Sequence, residues 1–258
     1  MNKFNALFRK EWLEAWRDKK LVWLPAVMLL MTILQPITLY FMPAILENSN
    51  SLPEGAIVEL PIPSGGEVLV STLSQLHTIG TAIIVLACMN VIVQERNTGA
   101  LMQLFTRPLS TATYIFSKWT MLVLLHLSAF SLSYGVAWYY TNNLFTDVSF
   151  DSVWKSFMIY CLWIVLVITV TLFVGTFLRR SGGVAGISIL ILASIAILST
   201  VLPDTATYLP SSILTLATDI LEMEKTTLHT GIIVTTSLAF ILLLLIGMVK
   251  QFNRSVKF

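Results

Sequence analysis

The chain has 258 residues, 56% of them hydrophobic and only 12% charged, with a formal net charge of +2 and 2 cysteines. Soluble domains carry about 25% charged residues, so the composition disfavours a soluble domain and gives a nucleic-acid binder no support, leaving the membrane class. Cys88 and Cys161 both fall inside apolar runs and offer neither a disulfide framework nor metal-ligand spacing.

Residues 2–20 carry Phe4, Phe8, Trp12 and Trp16 at strict four-residue spacing, with Leu7 and Ala15 beside them. Lys3, Arg9, Lys10, Glu11, Glu14, Arg17 and Asp18 occupy the other face. That pattern predicts an amphipathic helix lying in the headgroup layer. Six uncharged apolar runs follow, at about Leu21–Met42, Leu69–Val93, Trp119–Thr141, Phe157–Leu178, Ser181–Leu202 and Thr227–Val249. Each is near the roughly 20 residues a helix needs to cross the hydrocarbon core. Pro25 and Pro36 should kink the first unless its neighbours satisfy the freed carbonyls.

All Lys and Arg except Lys155 and Lys225 lie in the N-terminal segment, in alternate connections, or at the C-terminus. The remaining connections (43–68, 142–156 and 203–226) hold most of the acids. This bias predicts cytoplasmic termini and an integral protein of the cell membrane, with those three loops outside. Loop 43–68 reads as a solvated connector, or as an outer lid or partner contact. Within 203–226, SSILTLATDIL is too short to span and predicts a re-entrant or interfacial helix before the last crossing. Gly182 and Gly186, with the small residues after them, read as a close-packing face.

Intramembrane polar residues are His77, Asn90 and His126; Ser131, Ser133 and Tyr134 are possible partners for His126. Catalytic constellations such as HExxH or GxSxG are lacking, and so is the GxxxxGK[ST] loop needed to hydrolyse ATP. The spans also lack the carboxylates that ion-driven pumps use. The chain therefore reads as a non-enzyme, and uphill transport would need an external motor.

That requirement singles out Gln94–Trp119, QERNTGALMQLFTRPLSTATYIFSKW. Glu95 and Arg96 open it, Leu101, Leu104 and Phe105 follow at helical spacing, Arg107-Pro108 stops the helix, and Ser110 can cap the next. Together with FRKEWLEAWRDKK near the N-terminus, this stretch resembles the membrane subunit of a type-2 ABC exporter, the ABC-2 permease family. The resemblance rests on Glu95, Gly99, Leu101, Leu104, Pro108, Ser110 and Lys118; Ala100 departs from the Thr usual there. It implies an all-α membrane fold: an elbow helix at 1–20 and a six-span permease domain at 21–258, with a coupling helix at about 97–106. Elbow-helix residues would be Phe8, Arg9, Lys10, Trp12, Trp16 and Arg17. Coupling residues would be Glu95, Arg96, Gly99, Leu101, Leu104, Phe105 and Pro108, with Leu101, Leu104 and Phe105 filling a groove of the motor. Glu95 would pair with Arg9, Lys10 or Arg17. Partners would be two ABC ATPase subunits holding ATP and Mg, a second copy or a related permease, and the bilayer. Neither a metal nor a cofactor is expected on this chain. Apolar spans with scattered Ser, Thr and aromatic residues suit an amphiphilic cargo such as a lipid, drug or antimicrobial peptide. A non-transporting anchor or sensor that recruits a cytosolic ATPase is the other reading.

Overall fold

The computed structural model describes residues 3–48, 63–106, 109–201, 209–223 and 230–256, and they form helices without strands. In chain order these are α1 (Lys3–Arg17), α2 (Lys20–Asn48), α3 (Gly65–Gln75), α4 (Thr81–Cys88), α5 (Val93–Asn97), α6 (Ala100–Phe105), α7 (Thr111–Leu144), α8 (Phe150–Phe177), α9 (Ser181–Val201), α10 (Ile213–Met223) and α11 (Thr230–Val256). Five segments are long and apolar enough to cross a bilayer: Lys20–Ile45, Gly65–Asn97, Thr111–Leu144, Phe150–Phe177 and Thr230–Arg254. The fifth predicted run, Ser181–Leu202, coincides with α9, whose apolar part Ser181–Ile197 is shorter than these.

The centre of the bundle is α8, which contacts α4, α7, α9, α10 and α11. Trp163, Ile164, Leu166, Val167 and Ile168 are all buried, as expected of a helix apolar on every side. Between α7 and α8 runs an aromatic stack. Phe130 lies 5.1 Å from Phe157 with nearly parallel rings, and 5.1 Å from Tyr160. Because lipid tails are as apolar as the side chains, such packing and interhelical hydrogen bonds hold the bundle together, rather than burial from water. One such bond runs from Thr32 Oγ1 to the Ser133 carbonyl, 3.1 Å away, between α2 and α7.

The first crossing does not break at its prolines. The helix runs unbroken through Pro25, Pro36 and Pro43, with Leu24, Met28, Thr32 and Pro36 buried at every fourth position. The corner before it is tight: Lys19 adopts φ 56°, a left-handed conformation rare outside glycine. That single residue turns the chain from α1 into α2.

The second crossing is irregular. A π-helical turn at Leu76–Gly80 separates α3 from α4, and a turn at Met89–Ile92 separates α4 from α5. Its start is firmly set by a capping box. Ser64 N donates to Glu67 Oε2 at 2.8 Å and Ser64 Oγ accepts from Glu67 N at 3.3 Å. Here Gly65 and Gly66 allow close backbone approach: a Cβ on Gly65 would lie 2.1 Å from the Thr146 carbonyl oxygen, and one on Gly66 2.8 Å from that of Leu221.

The short predicted helix within 203–226 is α10. It packs on α3 and α8 through Ile213, Leu216, Ala217, Ile220 and Leu221. Most of loop 43–68 lies outside the described residues. The packing role read for Gly182 and Gly186 is corrected: a Cβ on either would meet nothing within 4 Å, and both are exposed. Of the small residues read with them, Ala185 and Ser188 are buried, and α9 packs through these together with Val184 and Leu192.

Candidate functional site: a buried charge knot beneath the exposed helix α6

Three segments far apart in sequence meet at the end of the bundle where α1 lies. Along α1, Leu7, Glu11 and Ala15 recur every fourth residue and are the buried stripe. The aromatic stripe of α1 is mostly outward from the bundle: Trp12 is 41% and Trp16 65% exposed, while Phe8 is partly buried against the core. The side of α1 turned to the bundle is thus an acid flanked by two small or aliphatic residues, with the large indoles outside.

That acid meets a lysine from α7. Ser110 caps α7, accepting from Thr113 N at 3.1 Å, and so fixes the register that points Tyr114 and Lys118 inward, four residues apart. The Lys118 ammonium donates to both Glu11 carboxylate oxygens at 2.8 Å and sits 3.0 Å from Glu95 on α5. Lys10 pairs with Glu95 and also lies 3.1 Å from Glu11 and 3.2 Å from Glu14. The Tyr114 hydroxyl donates to the other Glu95 oxygen. Glu11, Glu95 and Lys118 are 6%, 3% and 1% exposed, so water does not reach the centre of this network, while Lys10 and Glu14 meet it at the edge. Phe252 of α11 stacks on Tyr114 at 5.2 Å, bringing the last helix to the same corner.

Three carboxylates against two ammonium groups leave an excess of one negative charge at the half-buried Lys10–Glu14 edge. The three acids each place an oxygen within 4.8 Å of the others, a spacing a divalent cation could bridge. Lys118 and Lys10 already fill the cation's role there. Removing any one of the buried charges would leave an opposite charge unpaired.

Arg96, next to Glu95, points elsewhere. Its guanidinium donates to the Thr176 and Leu178 carbonyls, both at 3.0 Å, at the C-terminus of α8. A cation there suits the negative end of the helix dipole. One short segment, α5, thus carries two anchors: Glu95 to α1 and α7, and Arg96 to α8.

Beyond α5 the chain turns at Gly99, with φ 75°, into α6. The predicted face of this helix is corrected. Leu101 and Leu104 are half-buried and pack against the core. Met102 is 82% exposed, and Gln103 is exposed beside it. The three-residue spacing of the leucines gives one inward stripe, which leaves Met102 and Gln103 outward. The Phe105 side chain and Pro108 lie outside the described residues. Of the three bases considered for Glu95, Lys10 is the one in contact; Arg9 and Arg17 are exposed. Sequence reasoning missed Glu11, Tyr114 and Lys118 as a group. Glu11 carried a signal: it lies four residues from both Leu7 and Ala15.

The intramembrane polar residues are spread along the second and third crossings. His77 lies in the π-helical turn, its ring 4.3 Å from that of Trp163. Asn90 lies in the Met89–Ile92 turn and is half-buried. His126 contacts the Leu122 carbonyl at 2.8 Å and Cys88 Sγ at 3.8 Å. The serine and tyrosine partners expected for His126 are corrected accordingly: Ser133 Oγ donates to the Phe130 carbonyl, and the Tyr134 hydroxyl to Ser156.

The chain is 37% identical over 249 residues to the uncharacterized transmembrane protein YxlG of Bacillus subtilis (strain 168), an alignment covering 96% of each. With its apolar crossings, this makes it an integral membrane protein. Residues 28–255 match the family described as protein of unknown function DUF2705, and the chain belongs to that family.

Proposed function

We propose that this protein is the membrane subunit of an ATP-driven exporter of the ABC-2 type, with six crossings, cytoplasmic termini and a separate ATPase as its motor. The observation that carries the reading is α6. It is a short helix presenting Met102 and Gln103 outward, while its base is tied to α1, α7 and α8 by the Glu95 network and the Arg96 cap. A push on α6 reaches three bundle helices through groups that cannot part without exposing a buried charge. In this reading α1 is the elbow helix, its exposed Trp12 and Trp16 resting in the headgroup layer. The cargo is an amphiphile, and two copies or two related subunits form the path.

A photoreactive amino acid at Met102, incorporated in cells, tests this. The expected product is a crosslink to an ATPase carrying a GxxxxGK[ST] loop, with Met102→Asp abolishing both the crosslinked complex and its ATP hydrolysis. If position 102 crosslinks only to lipid, the motor assignment fails. An ATPase bound there without cargo-stimulated turnover or flux in proteoliposomes would instead support the anchor or sensor.

A further inference from the structure

The part of the second crossing nearest Gly65 is unexpectedly polar and poorly covered. Ser71, Ser74, Gln75 and Thr78 recur at three- and four-residue intervals and share a helix face. Ser74 and Thr78 are exposed; Ser71 and Gln75 are half-buried. Ser71 and Thr78 donate to carbonyls one turn back, Glu67 at 2.9 Å and Ser74 at 3.1 Å. Two other groups have no such relief. Gln75 Oε1 and His77 Nδ1 are buried without a hydrogen-bond partner among the described residues.

These two residues flank the exposed face, and His77 belongs to the π-helical turn, an irregularity frequent at functional sites. The Trp163 ring against His77 does not satisfy it, because the indole N–H is donated to Thr81 Oγ1 at 2.9 Å. Hydrocarbon would leave both atoms unanswered, and polar groups at membrane depth turn toward protein or a wet cavity. Residues 68–93 contain no Asp, Glu, Lys or Arg; the nearest charge along the helix is the exposed Glu67, one turn before Ser71, whose carboxylate already accepts from Ser64 N in the capping box. Exposed Ile79 and Leu86, seven residues apart, continue the track as an apolar strip.

We infer that this face is a wet binding site for an amphiphile with an uncharged, hydrogen-donating headgroup. Its hydroxyl or amide groups meet Ser74 and Thr78 on the exposed face and reach Gln75 Oε1 and His77 Nδ1 once those side chains turn outward, and the alkyl chain lies along Ile79 and Leu86. The site requires only that the chain spans a membrane, so its failure would leave the motor assignment standing.

The test is thiol accessibility in phosphatidylcholine nanodiscs, using a trimethylammonium methanethiosulfonate that does not enter hydrocarbon. Ser74→Cys and Thr78→Cys are compared with Leu243→Cys, a 65% exposed apolar position on α11, and with the unsubstituted chain as blank. Because the reactive thiolate forms in water, both test positions should react about tenfold or more faster than position 243. Submicellar dodecyl maltoside should slow them roughly threefold at twice its dissociation constant, and Gln75→Leu should remove that protection. Dodecyltrimethylammonium should protect neither. Rates equal to position 243, or a spontaneous disulfide-linked dimer in place of labelling, would overturn the wet site. Fast labelling that maltoside does not slow would overturn binding.

Discussion

Replacing Lys118 with methionine keeps an unbranched side chain of similar length and removes the ammonium from between Glu11 and Glu95, 2.8 and 3.0 Å away. At an effective dielectric of about 20, each contact at about 3 Å is a gross attraction of roughly 5 kcal/mol. Much of that is offset by the ammonium's own desolvation, which the variant no longer bears. The net loss expected for removing one partner of a buried pair is about 3–5 kcal/mol. Tyr114→Phe, which takes one donor from the Glu95 carboxylate, should cost about 1.5–3 kcal/mol. Both are measured by unfolding the purified protein in mixed micelles titrated with SDS. Glu11→Gln combined with Lys118→Met should be less damaging than the sum of the two, by about 1–3 kcal/mol. A Lys118→Met loss below about 1 kcal/mol, or additivity within about 0.5 kcal/mol, would refute the buried network.

Other outcomes follow from the same contacts. Met102→Asp should leave the unfolding midpoint unchanged and abolish motor binding, whereas Leu101→Asp, on the inward stripe, should destabilise the fold before any partner is added. Gly65→Ala should cost about 1–3 kcal/mol of stability, since its Cβ would sit 2.1 Å from the Thr146 oxygen. Gly99→Ala meets nothing within 4 Å, so it isolates the left-handed φ of 75° and should cost about 1–2 kcal/mol without disturbing a contact. Asp219 on α10 has its carboxyl raised by burial. The folded state then holds the proton at higher pH than the unfolded state does, so stability should fall as pH rises through the raised value. Asp219→Asn should flatten that slope, as read from melting temperature against pH.

Five of the six predicted runs match helices long and apolar enough to cross, legible because a bilayer demands about 20 uncharged residues in a row, a rule local to each segment. The Ser110 cap was legible for the same reason: it acts on the next turn of its own helix. The Glu11–Lys118 pairing was hidden, since residues 107 apart share no periodicity. The orientation of α6 was hidden too: six residues are fewer than two turns, and Leu101, Leu104 and Phe105, assigned to a partner's groove, form a stripe that a bundle can take up as well. The π-helical turn at Leu76–Gly80 carries no local signature apart from the closing glycine. Gly182 and Gly186 matched a packing motif, but a motif specifies closeness only if another helix arrives.

The distance of Lys118 from Glu11 also has a consequence for biogenesis. The ribosome makes Glu11 first and Lys118 107 residues later, a delay of about 5–20 s at ordinary elongation rates. Through that interval Glu11 lacks its deepest counterion, and α1 must stay hydrated at the membrane surface while α2 inserts. Docking of α1 is therefore a post-insertion event timed by the third crossing. Slowing translation between codons 95 and 118 should lengthen the window in which the N-terminal helix is open to protease.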